Sequence, residues 1–413
     1  MRIFAEKNKN MKYLLTAFCA LLLFSCSKDD DKPTTPQLAS RTVIIYISGE
    51  NSLSNFAPGD LSEMAEASTD IGDNNHLVVF YDNASKTEKP YIAELKNGEV
   101  IKDKEYEEDF YASDPDRMRE VLTYIMHRWS SKSYGIDLWG HASGWLITSD
   151  TIATTKAATR AYGIDNGNNT TSDRGKWINI PTLAKVFSQL PSKFLFVVGD
   201  CCFFQCVESA YELKDCTDYV FGCPSEVPGY GGAYKAIIPL FFNQSATFYN
   251  DIIDMCREMI GNEDFGVPMS VIRTSALDRF AAATAKIMPE LLRYDDFAGK
   301  RLVYYGIYMG DNGKRAKGYY DPKNIVLEYA ADSPYRQEWE DALNALVPNR
   351  IWCKKWLASH EDYGLDFSLF DASEETCSGI SMFVPQPMYE SLSPNPNETI
   401  KQMKWAKAVG LAD

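Results

Sequence analysis

Residues 193–213 read KFLFVVGDCCFFQCVESAYEL, and the reading of this stretch decides the fold. Phe194 to Val198 is an unbroken apolar run of valine, leucine and phenylalanine, which suits a strand buried on both faces in the middle of a parallel sheet. Beyond it, Phe203, Cys206, Val207, Ala210 and Tyr211 recur at helical spacing, with Glu208 and Glu212 outside that stripe. Gly199-Asp200-Cys201-Cys202 is then a tight turn from strand into helix. A thiol in that turn lies at the carboxyl edge of a sheet, where open α/β folds keep their ligand sites. It also lies at a helix N-terminus, whose positive dipole end favours thiolate. Free cysteine is equally a residue that simply packs, so these residues alone leave a reactive and a buried thiol both open. A partner base would decide between them.

Working outward, strands and helices alternate. Residues 41–48 (RTVIIYIS) read as a first buried strand, 61–67 as a helix and 76–81 (HLVVFY) as a second strand. Residues 90–95 and 99–102 suggest an exposed hairpin around Asn97-Gly98. Asp114-Pro115 opens a helix running to about Trp129. Residues 134–139 (YGIDLW) form a third strand, 148–175 read as a long exposed loop, and 181–190 as a short helix leading into the central strand. Such alternation predicts a mostly parallel sheet with helices on both faces. Residues 276–413, rich in Trp, Tyr and charge, are expected to form a mostly helical accessory region packed on a core of residues 41–275.

The N-terminus reads as a targeting segment. Lys7, Lys9 and Lys12 precede an apolar run from Leu14 to Phe24, too short to anchor as a spanning helix. Leu23-Phe24-Ser25-Cys26 resembles a bacterial lipobox, with residues 1–25 as signal peptide and Cys26 as the lipidated residue; Met11 is an alternative start. The Ser-Lys-Asp-Asp-Asp run that follows looks like an acidic export tag, and residues 26–40 serve as a tether. This implies an exported, lipid-anchored protein at the outer membrane or cell surface. Loss of the net +3 on residues 1–25 takes the formal charge from −15 to −18. So acidic a chain without a dense basic run excludes nucleic acid as partner. The even number of cysteines left after Cys26 invites a disulfide framework, although a chain of this length needs none. With no CxxC pair and no HExxH, a structural zinc site has little support.

The partner base is His141. It follows the third strand in Gly140-His141-Ala142-Ser143-Gly144 and would emerge at the same sheet edge as Cys202 if the two strands run parallel. A histidine beside a thiol, among small residues whose N–H groups can face an oxyanion, is what a cysteine nucleophile needs.

At this point the chain resembles the clostripain-like cysteine peptidases, of caspase-like α/β/α fold. The residues carrying the likeness are His141-Ala142, Gly163-Ile164-Asp165, Asp200-Cys201-Cys202, the run from Glu208 to Leu213, the run from Pro224 to Gly231 and the run from Ser378 to Pro385. Two positions depart from the family pattern: Ala142 stands for Gly, and Cys201 for Ala. The resemblance implies an endopeptidase acting on protein or peptide substrates, with Cys202 as nucleophile and His141 as acid and base. The N–H groups of Ala142 and Cys202 would form the oxyanion site, and Asp200 would receive a substrate Arg or Lys. It also implies activation by self-cleavage within 148–175, where Lys156, Arg160 and Arg174 are the basic residues. No cofactor is required by these motifs, although the family permits calcium; no EF-hand spacing of Asp residues is present. The alternative is the same fold without the chemistry, a surface lipoprotein that holds peptide in its cleft.

Overall fold

The computed structural model describes residues 38–85, 87–147, 161–167, 175–260, 266–359, 361, 364–370 and 373–413. Cys26, Lys156, Arg160 and Arg174 lie outside the described residues.

The first strand, β1 (Arg41–Gly49), is buried along its whole length. Its side chains alternate between two cores, Ile44 and Tyr46 facing one and Val43, Ile45 and Ile47 the other, as a strand covered on both faces must. β1 pairs in parallel with β2 (Asn75–Asn83) on one side and β5 (Tyr134–Trp139) on the other. β2 continues into the antiparallel hairpin β3 (Tyr91–Lys96) and β4 (Glu99–Glu105). Of the hairpin expected to be exposed, only β4 is; β3 is buried because it lies between β2 and β4 rather than at the edge.

Residues 161–167, expected within an exposed loop, are instead largely buried. They hold β6 (Tyr162–Asp165), paired antiparallel with β7 (Lys176–Ile178). A four-residue strand is too short to declare itself by periodicity. β8 (Phe194–Asp200) lies beside β5 and is followed by β9 (Thr217–Gly222), all three parallel. Gly135 is what lets β8 approach: a Cβ there would stand 2.1 Å from the Phe196 ring. β10 (Met269–Arg273) follows on this side, antiparallel to β9.

Helices cover both faces. Residues from Ala57–Ala67, Tyr234–Phe241 and Phe248–Ile260 enter one core. Those from Pro115–Arg128, Ile180–Ser188, Val207–Leu213 and Leu277–Leu291 enter the other. Asp114 caps its helix as its sequence suggests, accepting from the N–H groups of Asp116 and Arg117. The architecture is therefore the expected α/β/α sandwich.

The C-terminal part carries more helix than strand but is no separate appendage. It supplies the hairpin β11 (Tyr304–Met309) and β12 (Arg315–Tyr320). It also returns β13 (Asn349–Ile351) to the edge of the central sheet, beside β10. Ala39–Asp413 pack as one compact unit. No helix among the described residues is long and apolar enough to cross a membrane.

Candidate active site

The chain order across the parallel strands reverses between β1 and β5, the place where open α/β sheets leave a crevice at their carboxyl ends. β1 ends in Gly49-Glu50-Asn51-Ser52, β5 in Gly140-His141 and β8 in Asp200-Cys201-Cys202. Trp139 and Asp200 are register partners, so His141 and Cys202 leave adjacent parallel strands at one edge. Both line a cavity of about 270 Å³ together with Trp139, Asp200, Val227 and Gly231.

The half-buried His141 ring is held at Nε2 by the Ser52 hydroxyl, 2.9 Å away. Ser52 gave no signal in the sequence, because only the pairing of β1 with β5 brings it beside the histidine. Ala142, which stands where the family pattern has Gly, does not take a positive φ, so the side chain brings no backbone strain. The bridge between Ala142 and Tyr162 runs through Gly163 N–H donating to His141 O (2.8 Å) and Ser143 N–H to Ala161 O (3.4 Å). The N–H of Ala142 therefore stays out of that ladder. Gly144, at φ +70°, allows the loop to close on the cysteine turn, since a Cβ there would lie 2.9 Å from Phe203 O.

The cysteine turn differs from expectation in one respect. The helix starts at Val207, and Cys206 is still extended, so Cys202 is not at a helix N-terminus and Cys202 and Cys206 do not share a helix. The helical periodicity of 203–206 is overridden by tertiary bonds. Phe203, at φ 57°, donates to Ser225 O (2.8 Å), and Gln205 N–H donates to Cys223 O (3.1 Å). Without the dipole, burial pushes the Cys202 thiol up to about 12, against the hydrogen bond from Val227 that lowers it. Val227 N–H donates to Sγ at 3.4 Å. Val227 belongs to a strap that is tied down by its neighbour: Glu226 accepts from Ser359 N–H (3.1 Å) and from the Ser359 hydroxyl. Cys201 lies in the core and Cys202 at the cavity, half-buried. All eight cysteines from Cys201 onward are free, so the disulfide framework is not formed among them.

Asp200 is half-buried and lines two cavities, the one just described and a neighbouring one of about 270 Å³ walled by Ile237, Met255, Met259, Val267 and Ile351. It accepts from the Tyr234 hydroxyl and from Gly232 N–H (3.4 Å). Two further carboxylates stand close. Asp137 lines the second cavity, and its Oδ1 makes no hydrogen bond. Asp60 accepts from Trp139 Nε1 at 2.8 Å, and a Cβ on Gly231 would meet both Asp60 and Asp200. Burial pushes Asp60 up to about 7, while Asp137 is raised well above the usual range by burial and then by the charge of Asp200. Among the described residues none of the three has a cationic partner.

The Clostripain family profile matches residues 45–344. No curated protein sequence matches the chain. The solved structures that resemble it include a secreted C11 cysteine protease of Bacteroides thetaiotaomicron bound to an irreversible peptide inhibitor. That structure is 25% identical, with TM-score 0.70, over 90% of this chain and 98% of that one. An inactive zymogen C11 protease of Parabacteroides distasonis is 24% identical, with TM-score 0.71, over 91% and 99%. With the family profile spanning most of the sheet and both strands that carry His141 and Cys202, the chain belongs to the clostripain family of cysteine peptidases.

Proposed function

We propose that Cys202 is the nucleophile of an endopeptidase and His141 its acid and base. The observation that carries this is that the two side chains line one cavity from adjacent parallel strand ends. His141 takes the Sγ proton as sulfur attacks the scissile carbonyl, and passes it to the leaving amine as the C–N bond breaks to leave the thioester; His141 then takes a proton from water, whose oxygen attacks the thioester, and returns it to Sγ as the C–S bond breaks and the acid leaves. Ser52 holds the Nε2 edge of the imidazole. The Ala142 N–H, outside the neighbouring ladder, and that of Cys202 are the proposed oxyanion donors.

Preference for a basic residue before the cut is supported by Asp200, with Asp137 and Asp60 behind it. An Arg or Lys stem fits apolar walls while its charge meets carboxylates that lack a cation. The uncut chain is proposed to be latent, because Val227 occupies the thiol and burial keeps it protonated. Self-cleavage within 148–175, at Lys156, Arg160 or Arg174, would free the strap. Anchoring through a lipid on Cys26 rests on the lipobox alone, and Cys26→Ser should release the protein from membranes.

The test is labelling by a thiol-reactive peptide probe ending in Lys. It should mark the wild type after activation and leave Cys202→Ala unmarked; equal labelling of both would overturn the assignment.

A further inference from the structure

The two cavities that share Asp200 are walled by one strap. Val227 and Gly231 line both, Gly229 lines the catalytic cavity and Tyr230 the second one. Large apolar side chains stand on the rim where the two meet. Leu53, half-buried, lines the catalytic cavity. Phe56 covers the strap beside it: a Cβ on Gly229 would stand 3.0 Å from the Phe56 ring and 3.4 Å from Leu53. Phe56 is 42% exposed and Tyr230 66%. Single exposed apolar residues are ordinary on a protein surface, but aromatic surface gathered at the mouth of a cleft marks a place where a ligand is covered.

The rim sits on fixed backbone. Phe56 O accepts from Gly59 N–H (3.0 Å) and Asp60 N–H (3.2 Å) as the helix Ala57–Ala67 opens, and Phe56 N–H donates to Leu53 O (2.9 Å). Leu53 N–H in turn donates to Asn51 Oδ1 at 2.9 Å. Across from them, Gly231 N–H donates to Pro228 O (3.1 Å) and closes the turn that carries Tyr230. Surface ordered in advance loses little conformational freedom when a ligand covers it, so more of the apolar gain is kept as binding. An aromatic face takes an aliphatic or aromatic group with no hydrogen-bond partner to satisfy.

We propose that Leu53, Phe56 and Tyr230 form a subsite for an apolar side chain of the substrate, one or two positions before the basic residue at the cut. The proposal rests on the peptidase reading above and adds a second determinant of its specificity. The strap runs from the thiol to the basic pocket: Val227 N–H meets Sγ, and Gly232 N–H meets Asp200. A substrate with its scissile carbonyl at Sγ and its basic side chain at Asp200 therefore lays its acyl half along residues 227–232. The leaving half departs past His141, which protonates the amine. An extended chain advances about 3.3 Å per residue, so the residues that pass beside the rim are the one or two before the basic one. Phe56 and Leu53 carry no sequence signal for this, because they reach the strap only through the fold.

The experiment takes full-length wild type, Phe56→Ala and Tyr230→Ala through the same activation. It measures kcat/KM on quenched fluorescent peptides that are identical except for Leu, Phe, Ser or Gly at the two positions before a Lys. At one of these positions the wild type should prefer Leu or Phe over Ser or Gly by about tenfold. Phe56→Ala should lose that preference yet cut the Ser and Gly peptides within about twofold of wild type, because the thiol, the imidazole and Asp200 are untouched. Phe56→Tyr, which keeps the ring, should retain it. Tyr230→Ala should narrow the preference in the same direction and serves if Phe56→Ala does not fold. A wild type that cuts all the peptides alike, or a preference that survives in both alanine variants, would overturn the subsite alone. A wild type that cuts none of them would contradict the peptidase reading, and the subsite with it.

Discussion

The rings of Phe203 and Tyr319 stack 4.1 Å apart at 13°, and both residues hold positive φ, 57° and 52°. Phe203 is the residue after Cys202. Tyr319, from β12, also donates its hydroxyl to Ser143 O at 2.8 Å. One side chain of the C-terminal hairpin therefore grips both the cysteine turn and the histidine loop. The chain beyond residue 276 is part of what shapes the site.

Tyr319→Phe keeps the stack and removes only the bond to Ser143. It should cost about 1 kcal/mol of stability and lower kcat with little change in KM, because the histidine loop loses its tie while the substrate cavity stays. Tyr319→Leu, which loses the stack as well, should fall further in both Tm and kcat. Steady-state kinetics beside thermal melts separate the two effects, and unchanged kcat in both variants would remove Tyr319 from the account.

Glu226→Ala should loosen the strap over the thiol. On uncut chain, alkylation of Cys202 by iodoacetamide is expected to speed up several-fold, and the appearance of fragments cut within 148–175 should accelerate with it. Cys202→Ala should yield no fragments at all. Alkylation at the wild-type rate in Glu226→Ala would mean that the bond to Ser359 does not hold the strap.

Asp200→Asn should reduce kcat/KM on peptides with Arg or Lys before the cut by a hundredfold or so, and on matched neutral peptides far less. Asp137→Asn should shift selectivity in the same direction by a smaller factor, since Asp137 lies one strand away. Equal losses on basic and neutral peptides would make Asp200 a structural carboxylate, held for its bonds to Tyr234 and Gly232.

Glu208 is buried in the helix after the cysteine turn. Its Oε1 accepts from Phe383 N–H at 2.6 Å, while Oε2 has no partner. Burial pushes its carboxyl up to about 8. A raised carboxyl pKa stabilises the fold below the unfolded value, and that stability is lost as pH climbs through the folded value. Glu208→Gln keeps the acceptor and removes the charge, so its melting temperature should gain on wild type between pH 6 and pH 9. A constant gap across that range would contradict the assignment.

Legibility followed the strength of local pattern. β1, β2, β5 and β8 are long apolar runs, and Asp114-Pro115 opens its helix with a cap and a fixed φ, so sheet and layers could be read directly. The His141 and Cys202 pair was legible because parallel strands bring their carboxyl ends to one edge. Ser52 beside His141 and the bond from Val227 to the thiol were not, since both depend on contacts between segments distant in the chain. The spacing of residues 203–206 predicts helix, but they make their backbone bonds to Cys223, Ser225 and Ser381, so the helix starts only at Val207. Local propensity yields there to tertiary bonding.

The most direct test of the central claim is kcat/KM of Cys201→Ala beside Cys202→Ala on one Lys-containing peptide. Cys201 is a core residue, and alanine fits its role of packing, so that variant should keep substantial activity. Cys202→Ala should lose several orders of magnitude. An inactive Cys201→Ala beside a Cys202→Ala that still turns over would contradict the account.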